Sequence, residues 1–400
     1  MIHVCFVLHD RTGRYSKFTG TTMFSLFENT NSEVTIHIFH DDTLTNDNRD
    51  KFLEITNRHG QNLKFHNVEE LCAEKINKYV ELVPSVKNSR VSRAAFYKFL
   101  TPEILDKNIE KVIYLDSDII VNLDINELWQ IELEDHPIAA VENFFSRGVD
   151  PLKISCLLRD GFAKVEDYFN SGMIVMNLKI LRHEEANILA GIKFRGEHPK
   201  YTLFDQEIFN YLFSTRNLKL PIKFNCLVKQ TRNYGDFKIK ESIYHYAAGE
   251  YTFGLNMNDP FNRLWWSYFI RTPWFDVDTM DKIIKGATDS MLRPSAVPLG
   301  KARVFVVDNE HAFQIERNFS VQDEEEVIVV DTENKDCLQR LTKLMDSLRD
   351  KNVFFIGLPN IDSKLKGMRF IEDKDFFNVS EFYSPVWANH TSNYKLILSM

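Results

Sequence analysis

An α/β fold with a largely parallel sheet, followed by a smaller α/β domain, is the architecture this 400-residue chain predicts. Three observations lead there. Short β-branched and aromatic runs alternate with polar-faced segments of helical spacing, the βαβα rhythm of a sheet covered by helices. One of those runs, Lys111–Leu115, ends in two carboxylates, Asp116 and Asp118, before apolar residues resume at Ile119. A break rich in proline and glycine, Arg293-Pro-Ser-Ala-Val-Pro-Leu-Gly300, interrupts the rhythm, which then restarts.

In chain order, Ile2–Leu8 and Val34–Phe39 read as strands and Leu63–Val68 as a weaker one. Met23, Leu26 and Phe27 fall at helical spacing between the first two. Val91–Leu100, with Ile104, predicts a helix feeding the strand that ends at Asp116. Ile138–Val141, Gly172–Leu178, Pro221–Phe224 and Ile243–Tyr246 are further strands, and Gln206–Phe213 and Trp265–Ile270 further helices. Beyond the break, Val304–Val307, Val327–Val330 and Val353–Ile356 read as strands and Cys337–Leu348 as a helix. The division is therefore a first domain over 1–290 and an accessory α/β domain over 300–400.

Hydrophobic residues at 44% and charged residues at 26% describe an ordinary globular protein. A net charge of −8 argues against a nucleic-acid partner, whose phosphates reward a basic face. The cysteines, Cys5, Cys72, Cys156, Cys226 and Cys337, have neither metal-type nor disulfide-type spacing, which fits free thiols in a reducing compartment. The apolar start, Met1–Leu8, is too short and lacks the basic leader of a secretory signal. No apolar run approaches the roughly 18 residues that span a bilayer. A cytoplasmic protein is expected, with the sequons at Asn318, Asn378 and Asn389 inert.

The chemistry begins with Asp116 and Asp118. An ionised carboxylate in an apolar strand costs several kcal/mol unless it is paired or metal-bound. Two of them at i and i+2 point to the same side of an extended chain, so a divalent cation held by hard oxygen ligands is the economical reading. The bland alternative is a tight acidic turn at a strand end. Phe169-Asn-Ser-Gly172 opens an apolar strand with a polar triplet, in which Gly172 permits close approach to the backbone and Asn170 can bond a sugar hydroxyl. A plain turn is the alternative there. Asp205 and Gln206 stand at a helix start, where Asp205 is a natural N-cap. His245 closes a strand and offers a third metal ligand, although a core histidine is the commoner case. Arg90 and Arg93 offer phosphate or carboxylate recognition, with a solvated helix face as the alternative.

Each piece is weak alone, but together they occur in a recognisable order. The chain resembles the family 8 retaining glycosyltransferases of the GT-A fold, which include bacterial lipopolysaccharide galactosyl- and glucosyltransferases and glycogenin. Phe6-Val-Leu-His-Asp10 looks like the family's nucleotide-binding start, and Ser92-Arg-Ala-Ala-Phe-Tyr-Lys-Phe-Leu100 is similar to its arginine-bearing helix. Tyr114-Leu-Asp-Ser-Asp-Ile-Ile-Val121 matches its metal motif, and Phe169-Asn-Ser-Gly-Met173, Asp205-Gln206 and His245 follow in order. The resemblance covers residues 1–275 and extends to the subgroup that glycosylates serine-rich surface adhesins of Gram-positive bacteria.

The resemblance implies a Rossmann-like mixed sheet of the GT-A type and a UDP-hexose donor, galactose before glucose. It implies Mn²⁺ (or Mg²⁺) bound by Asp116, Asp118 and His245. Val7, His9, Asp10 and Arg11 would line the uracil and ribose, with Ser117 near the ribose. Arg93, Asn170, Ser171 and Asp205 would hold the donor sugar, and Gln206, with Asp205 beside it, would face the anomeric carbon. An amide is a poor nucleophile, so same-face substitution is expected, with the departing UDP phosphate taking the acceptor's proton. The acceptor is expected to be a glycan, on a glycoprotein before a glycolipid.

Two departures stand out. The family often has glycine three residues after the histidine and then a lysine on the diphosphate; here Ala248 holds the first place, Gly249 comes one residue late, and Tyr251 or Thr252 replaces the lysine. The clamp role could pass to Arg93, Lys229 or Arg232. The accessory domain has no counterpart in the family's core, which leaves open an acceptor platform, an assembly surface or peripheral contact with a membrane. Two other functions compete. Haloacid-dehalogenase-like phosphatases also follow a strand with Asp-x-Asp, but on the first strand and with a later acidic pair. A non-catalytic sugar-nucleotide-binding partner would not need the two aspartates, Gln206 and His245 together.

Overall fold

The computed structural model describes residues 1–88, 93–143, 150–201, 203–247 and 259–276, and after these mainly strand segments between 303 and 399. The chain divides into two compact units, one of residues 1–247 with 256–276, the other of 248–255 with 277–400. No helix among the described residues is long and apolar enough to cross a membrane.

The first unit alternates strand and helix from its start: β1 (Ile2–Leu8), α1 (Arg14–Glu28), β2 (Val34–His40), α2 (Asn46–Arg58), β3 (Asn62–Asn67) and α3 (Ala73–Leu82). There follow β4 (Lys111–Leu115), β5 (Ile119–Asn122), β6 (Ile138–Glu142), β7 (Phe169–Asn177), α4 (Glu185–Glu197), α5 (Phe204–Phe213), β8 (Asn217–Leu220), β9 (Cys226–Leu227), β10 (Ser242–His245) and α6 (Pro260–Phe269). Seven strands form one sheet in the order β3-β2-β1-β4-β7-β6-β8. The first four run parallel, β7 is antiparallel to both β4 and β6, and β8 is parallel to β6. β2 is buried at every residue, as expected of a parallel strand covered on both faces. A second sheet, β5-β10-β9, carries the chain past the two aspartates.

The main core packs Cys5, Phe39, Val112 and Tyr114 of the sheet against Ile76, Tyr79, Phe96, Phe204 and Phe209. Helix α1 packs against α2 and α6, and the segment after α6 meets α2: Phe18 lies edge-on to Trp265, and Phe52 edge-on to Trp274. Gly20 is needed there, because a Cβ would meet the Trp274 ring at 2.0 Å.

Several elements differ from the sequence expectations. The helix read over Val91–Leu100 is a 3-10 helix, Arg93–Leu100, followed by an α-turn at Thr101–Ile104; residues 91–92 lie outside the described residues. Pro102 has no N–H for the Lys98 carbonyl, and the Thr101 hydroxyl takes that carbonyl at 2.8 Å instead. Pro221–Phe224 is not a strand. The strand lies one step earlier, in Asn217–Leu220, because Pro221 cannot donate to a ladder and opens a 3-10 turn. β7 begins at Phe169, whose backbone N–H and carbonyl both bond the Asn210 side chain, and it ends at Asn177, which caps the turn that Leu178 enters. Helix α4 matches no sequence expectation.

The second unit has a parallel five-stranded sheet in the order β14-β13-β11-β12-β15: β11 (Arg303–Asp308), β12 (Glu326–Val330), β13 (Asn352–Ile356), β14 (Phe377–Asn378) and β15 (Leu396–Ser399). The three strands expected there are its central three. The Pro/Gly break at 293–300 and the helix read over 337–348 lie outside the described residues, apart from Lys343.

Candidate active site

The turn Asp116-Ser117-Asp118 joins β4 to β5 and is fixed from three sides. On the β7 side, the Asp116 N–H donates to the Gly172 carbonyl at 2.7 Å. On the α1 side, the Thr19 hydroxyl bonds Ser117 Oγ, and the Thr22 hydroxyl lies within 2.8 Å of the Ser117 carbonyl and 2.6 Å of that of Ile119. On the β10 side, antiparallel pairing sets His245 opposite Ile119, and the Tyr246 N–H donates to the Asp118 carbonyl. Register thus brings a histidine 127 positions beyond Asp118 to the same turn.

Among the described residues, Asp116, Asp118 and His245 each contribute one ligand atom, all within 4.8 Å of one another. His245 Nε2 lies 3.3 Å from Asp118 Oδ1 and 3.8 Å from Asp116 Oδ2. Two carboxylates and one imidazole form a donor set suited to Mn²⁺ or Mg²⁺. Gly172 keeps the space open, since a Cβ there would meet His245 Cε1 at 2.2 Å and Asp116 Oδ2 at 2.8 Å. Asp116 lies deep in the site although about a third of its side chain (32%) meets solvent. Burial, with help from the Asp118 charge, holds its pKa above the usual carboxylate range despite the opposing Lys98 ammonium. For His245, burial disfavours the imidazolium, but the two carboxylates outweigh it and raise its pKa. Without a cation the trio is frustrated: crowded carboxylates lean on the histidine's charge.

A second polar group adjoins the first. Lys98, 5% exposed, places its ammonium 2.5 Å from Asp205 Oδ2 and 3.8 Å from Asp116 Oδ1. Burial opposes its charge, yet the two carboxylates prevail and raise its pKa. Asp205 lies in the first turn of α5 and takes a 3.0 Å bond from Ser171 Oγ; it does not cap the helix. Gln206 Oε1 accepts from Asn170 Nδ2 at 3.0 Å and the Ser171 N–H at 3.2 Å, while its Nε2 donates to the Tyr168 hydroxyl. Asn170 Oδ1 accepts from the Gly172 N–H and from Asn225 Nδ2. Asn170, Ser171, Asp205 and Gln206 therefore converge.

The expected nucleotide-side residues cluster at the tips of β1 and β2. His9 Nδ1 is 2.5 Å from Asp41 Oδ2. Burial pushes the Asp41 carboxyl up, but the bonds from His9 and Thr43 prevail and hold its pKa down to about 2. The Asp10 carboxylate is already engaged, accepting the Tyr15 and Ser16 N–H groups at the start of α1, where Gly13 takes φ +74°. Exposed Arg11 helps line a cavity of about 390 Å³ together with Gly13, Lys17, Asn48, Lys51 and Trp274. Val7 packs on the main core.

Arg93 does not join the cluster. Its guanidinium pairs with Glu69 at 2.8 Å and Asn77 at 2.9 Å. Of the other clamp candidates, Arg232 bonds Asp259 and Asn262, and half-buried Lys229 stands in the short helix Val228–Asn233. Arg90 and residues 248–252 lie outside the described residues. Sequence reasoning missed Lys98, Tyr168 and Asn225. The lysine carried a signal, because Phe96-Tyr-Lys-Phe-Leu100 strands one charge inside an apolar run; the other two carried none.

A family model described as glycosyl transferase family 8 matches residues 7–250. General stress protein A of Bacillus subtilis is 24% identical over 277 residues, 65% of this chain and 91% of that protein. The probable glycosyl transferase Gly of Streptococcus gordonii is 26% identical over 217 residues, half of this chain but only 28% of that protein. Among solved structures, galactosyltransferase LgtC in complex with donor and acceptor sugar analogues superposes with a TM-score of 0.55 at 18% identity, covering 70% of this chain and 100% of that one.

Proposed function

Because the chain belongs to glycosyl transferase family 8 and has the GT-A fold, we propose that it is a retaining hexosyltransferase. The donor is a UDP-hexose, galactose before glucose, and the acceptor a glycan carried on a protein. The observation that supports this reading best is the meeting of Asp116, Asp118 and His245 with the Asn170–Gln206 amide pair across Gly172. Asp116 and Asp118 would hold Mn²⁺ or Mg²⁺ together with His245; a divalent cation there supplies positive charge to the diphosphate as the sugar leaves.

The chain's own residues do the rest. Asp205, pinned by Lys98 and Ser171, presents a carboxylate oxygen to donor-sugar hydroxyls. Gln206 holds its carbonyl oxygen toward the strand start and stabilises positive charge developing at the anomeric carbon. The C1–O bond to the phosphate breaks as the acceptor oxygen bonds C1 on the same face, and the acceptor's proton passes to the departing phosphate oxygen. The phosphatase alternative is not favoured, since the Asp-x-Asp pair follows the fourth strand in chain order rather than the first.

UDP release from UDP-galactose and UDP-glucose, with and without Mn²⁺, tests the reading, and proton NMR of the product gives the anomeric configuration. Expected are Mn²⁺-dependent turnover, faster with UDP-galactose, and an α-linked product. Hydrolysis of simple phosphate esters without UDP-sugar turnover would overturn it.

A further inference from the structure

Asn225 sits where no donor, acceptor or cation is expected to touch it, yet its side chain joins the two halves of the site. It is 2% exposed and stands one residue before the two-residue strand β9. That strand runs parallel to β10 with Leu227 beside His245. Asn225 Nδ2 donates to Asn170 Oδ1 at 2.8 Å, and its Oδ1 lies 3.1 Å from His245 Nδ1.

The polarity of this chain of contacts is fixed by two backbone groups. The Gly172 N–H can only donate, so the Asn170 atom it meets at 3.0 Å must be the carbonyl oxygen. Asn225 must then offer its NH₂ to that same oxygen and turn its own carbonyl toward His245. His245 must in turn carry a hydrogen on Nδ1, which leaves Nε2 facing Asp118 and Asp116. On the other branch the Ser171 N–H can only donate, so Gln206 presents Oε1 to it and to Asn170 Nδ2. Two amide hydrogens at the start of β7 thereby orient Asn170, Gln206, Asn225 and the imidazole together.

We propose that Asn225 is a positioning residue: it locks His245 in the Nδ1–H tautomer and couples that ring to the Asn170–Gln206 pair. A partner on the far nitrogen is what orients a ligating histidine in general. This inference rests on the proposed function for its metal and donor, but the hydrogen on Nδ1 does not depend on either: where the carboxylates hold a proton on Nε2 as well, Nδ1–H still faces Asn225.

The test uses the full chain, with Asn225→Ala and Asn225→Asp variants and three measurements. Nitrogen-15 NMR of the metal-free protein, taken above the pH at which the imidazolium loses a proton, reports the His245 tautomer, its signal assigned by loss in His245→Gln. Titration with Mn²⁺ alone, followed by electron paramagnetic resonance, gives affinity. Steady-state kinetics give KM for the UDP-sugar separately from kcat. Asn225→Ala is expected to lose the single tautomer and to bind Mn²⁺ about 10–100-fold more weakly. Asn225→Asp keeps an acceptor for Nδ1–H but cannot donate to Asn170. It is expected to restore the tautomer and the Mn²⁺ affinity to within about threefold while KM for the donor stays raised. A folded Asn225→Ala protein with the native tautomer and native Mn²⁺ affinity would overturn the proposal. Native protein that binds neither Mn²⁺ nor a UDP-sugar would instead overturn the proposed function, with the metal-free tautomer still deciding the role of Asn225.

Discussion

Strands β3, β2, β1 and β4 run parallel and end at one edge of the sheet, whereas β7 runs antiparallel to β4 and begins there. The parallel tips supply polar groups largely tied to one another, His9 to Asp41 and Asp10 to Thr43. At the seam a strand end meets a strand start. Leu115 pairs with Met173, so Asp116 meets Gly172 while Asn170 and Ser171 continue toward Gln206. The contrast teaches that parallel tips make a floor, and that the reversal at β4/β7 brings a second set of side chains to the same edge.

The largest effect should come from breaking the seam's ligand set. Asp118→Ala is expected to remove Mn²⁺-stimulated UDP release, by at least about a thousandfold, with an unchanged circular dichroism spectrum. Wild-type-like turnover would sink the metal assignment. Next, Lys98→Met strands Asp205 and Asp116 without the cation between them, and urea unfolding should show a loss of about 3–5 kcal/mol. An unchanged midpoint would mean that this buried pair carries no stability. Gln206→Ala leaves the floor intact, so binding of the UDP-sugar should survive while kcat falls about a hundredfold; equal transfer would remove the residue from the anomeric carbon.

The smallest effect probes the parallel half alone. His3, His37 and His66, from β1, β2 and β3, form a chain of imidazoles with 3.1 Å contacts. Burial, reinforced by the neighbouring imidazoles, holds the His37 pKa down to about 3. An unfolded histidine takes up its proton near pH 6.5. Between about pH 6.5 and 3 the unfolded chain therefore binds more protons, and this contribution to stability falls as pH drops, by up to about 1.4 kcal/mol per unit. His37→Gln should flatten that limb of the unfolding profile; an unaltered slope would rule out the imidazole chain as its source.

Much of this was legible in the sequence. β-branched runs such as Ile2–Leu8 and Val34–Phe39 have few options besides buried parallel strands, and they formed them. The Asp-Ser-Asp turn announced itself because carboxylates in an apolar run need an explanation. Proline positions mislead in opposite ways: apolar patterning carries Pro221 into a strand that it terminates, and helical spacing runs from Leu100 to Ile104 although Pro102 denies the Lys98 carbonyl an N–H.

What the sequence determined by itself is the chemical inventory of the site and the layering around it. Asp116, Asp118 and Asn170 stand out because they interrupt apolar strand runs, whereas Asp205, Gln206 and His245 stand out only through their order in the family resemblance. Only the tertiary structure decided which cation joins them. Arg93 and Lys98 share one 3-10 helix, where residues five apart point about 120° away from each other; the arginine turns to Glu69 and the lysine to Asp205. Only strand register could place Asn225 beside His245, twenty residues away along the chain and 3.1 Å across β9 and β10. Residue type follows from the local cost of burying a charge, whereas partnership depends on helix phase and strand register, which the whole fold sets.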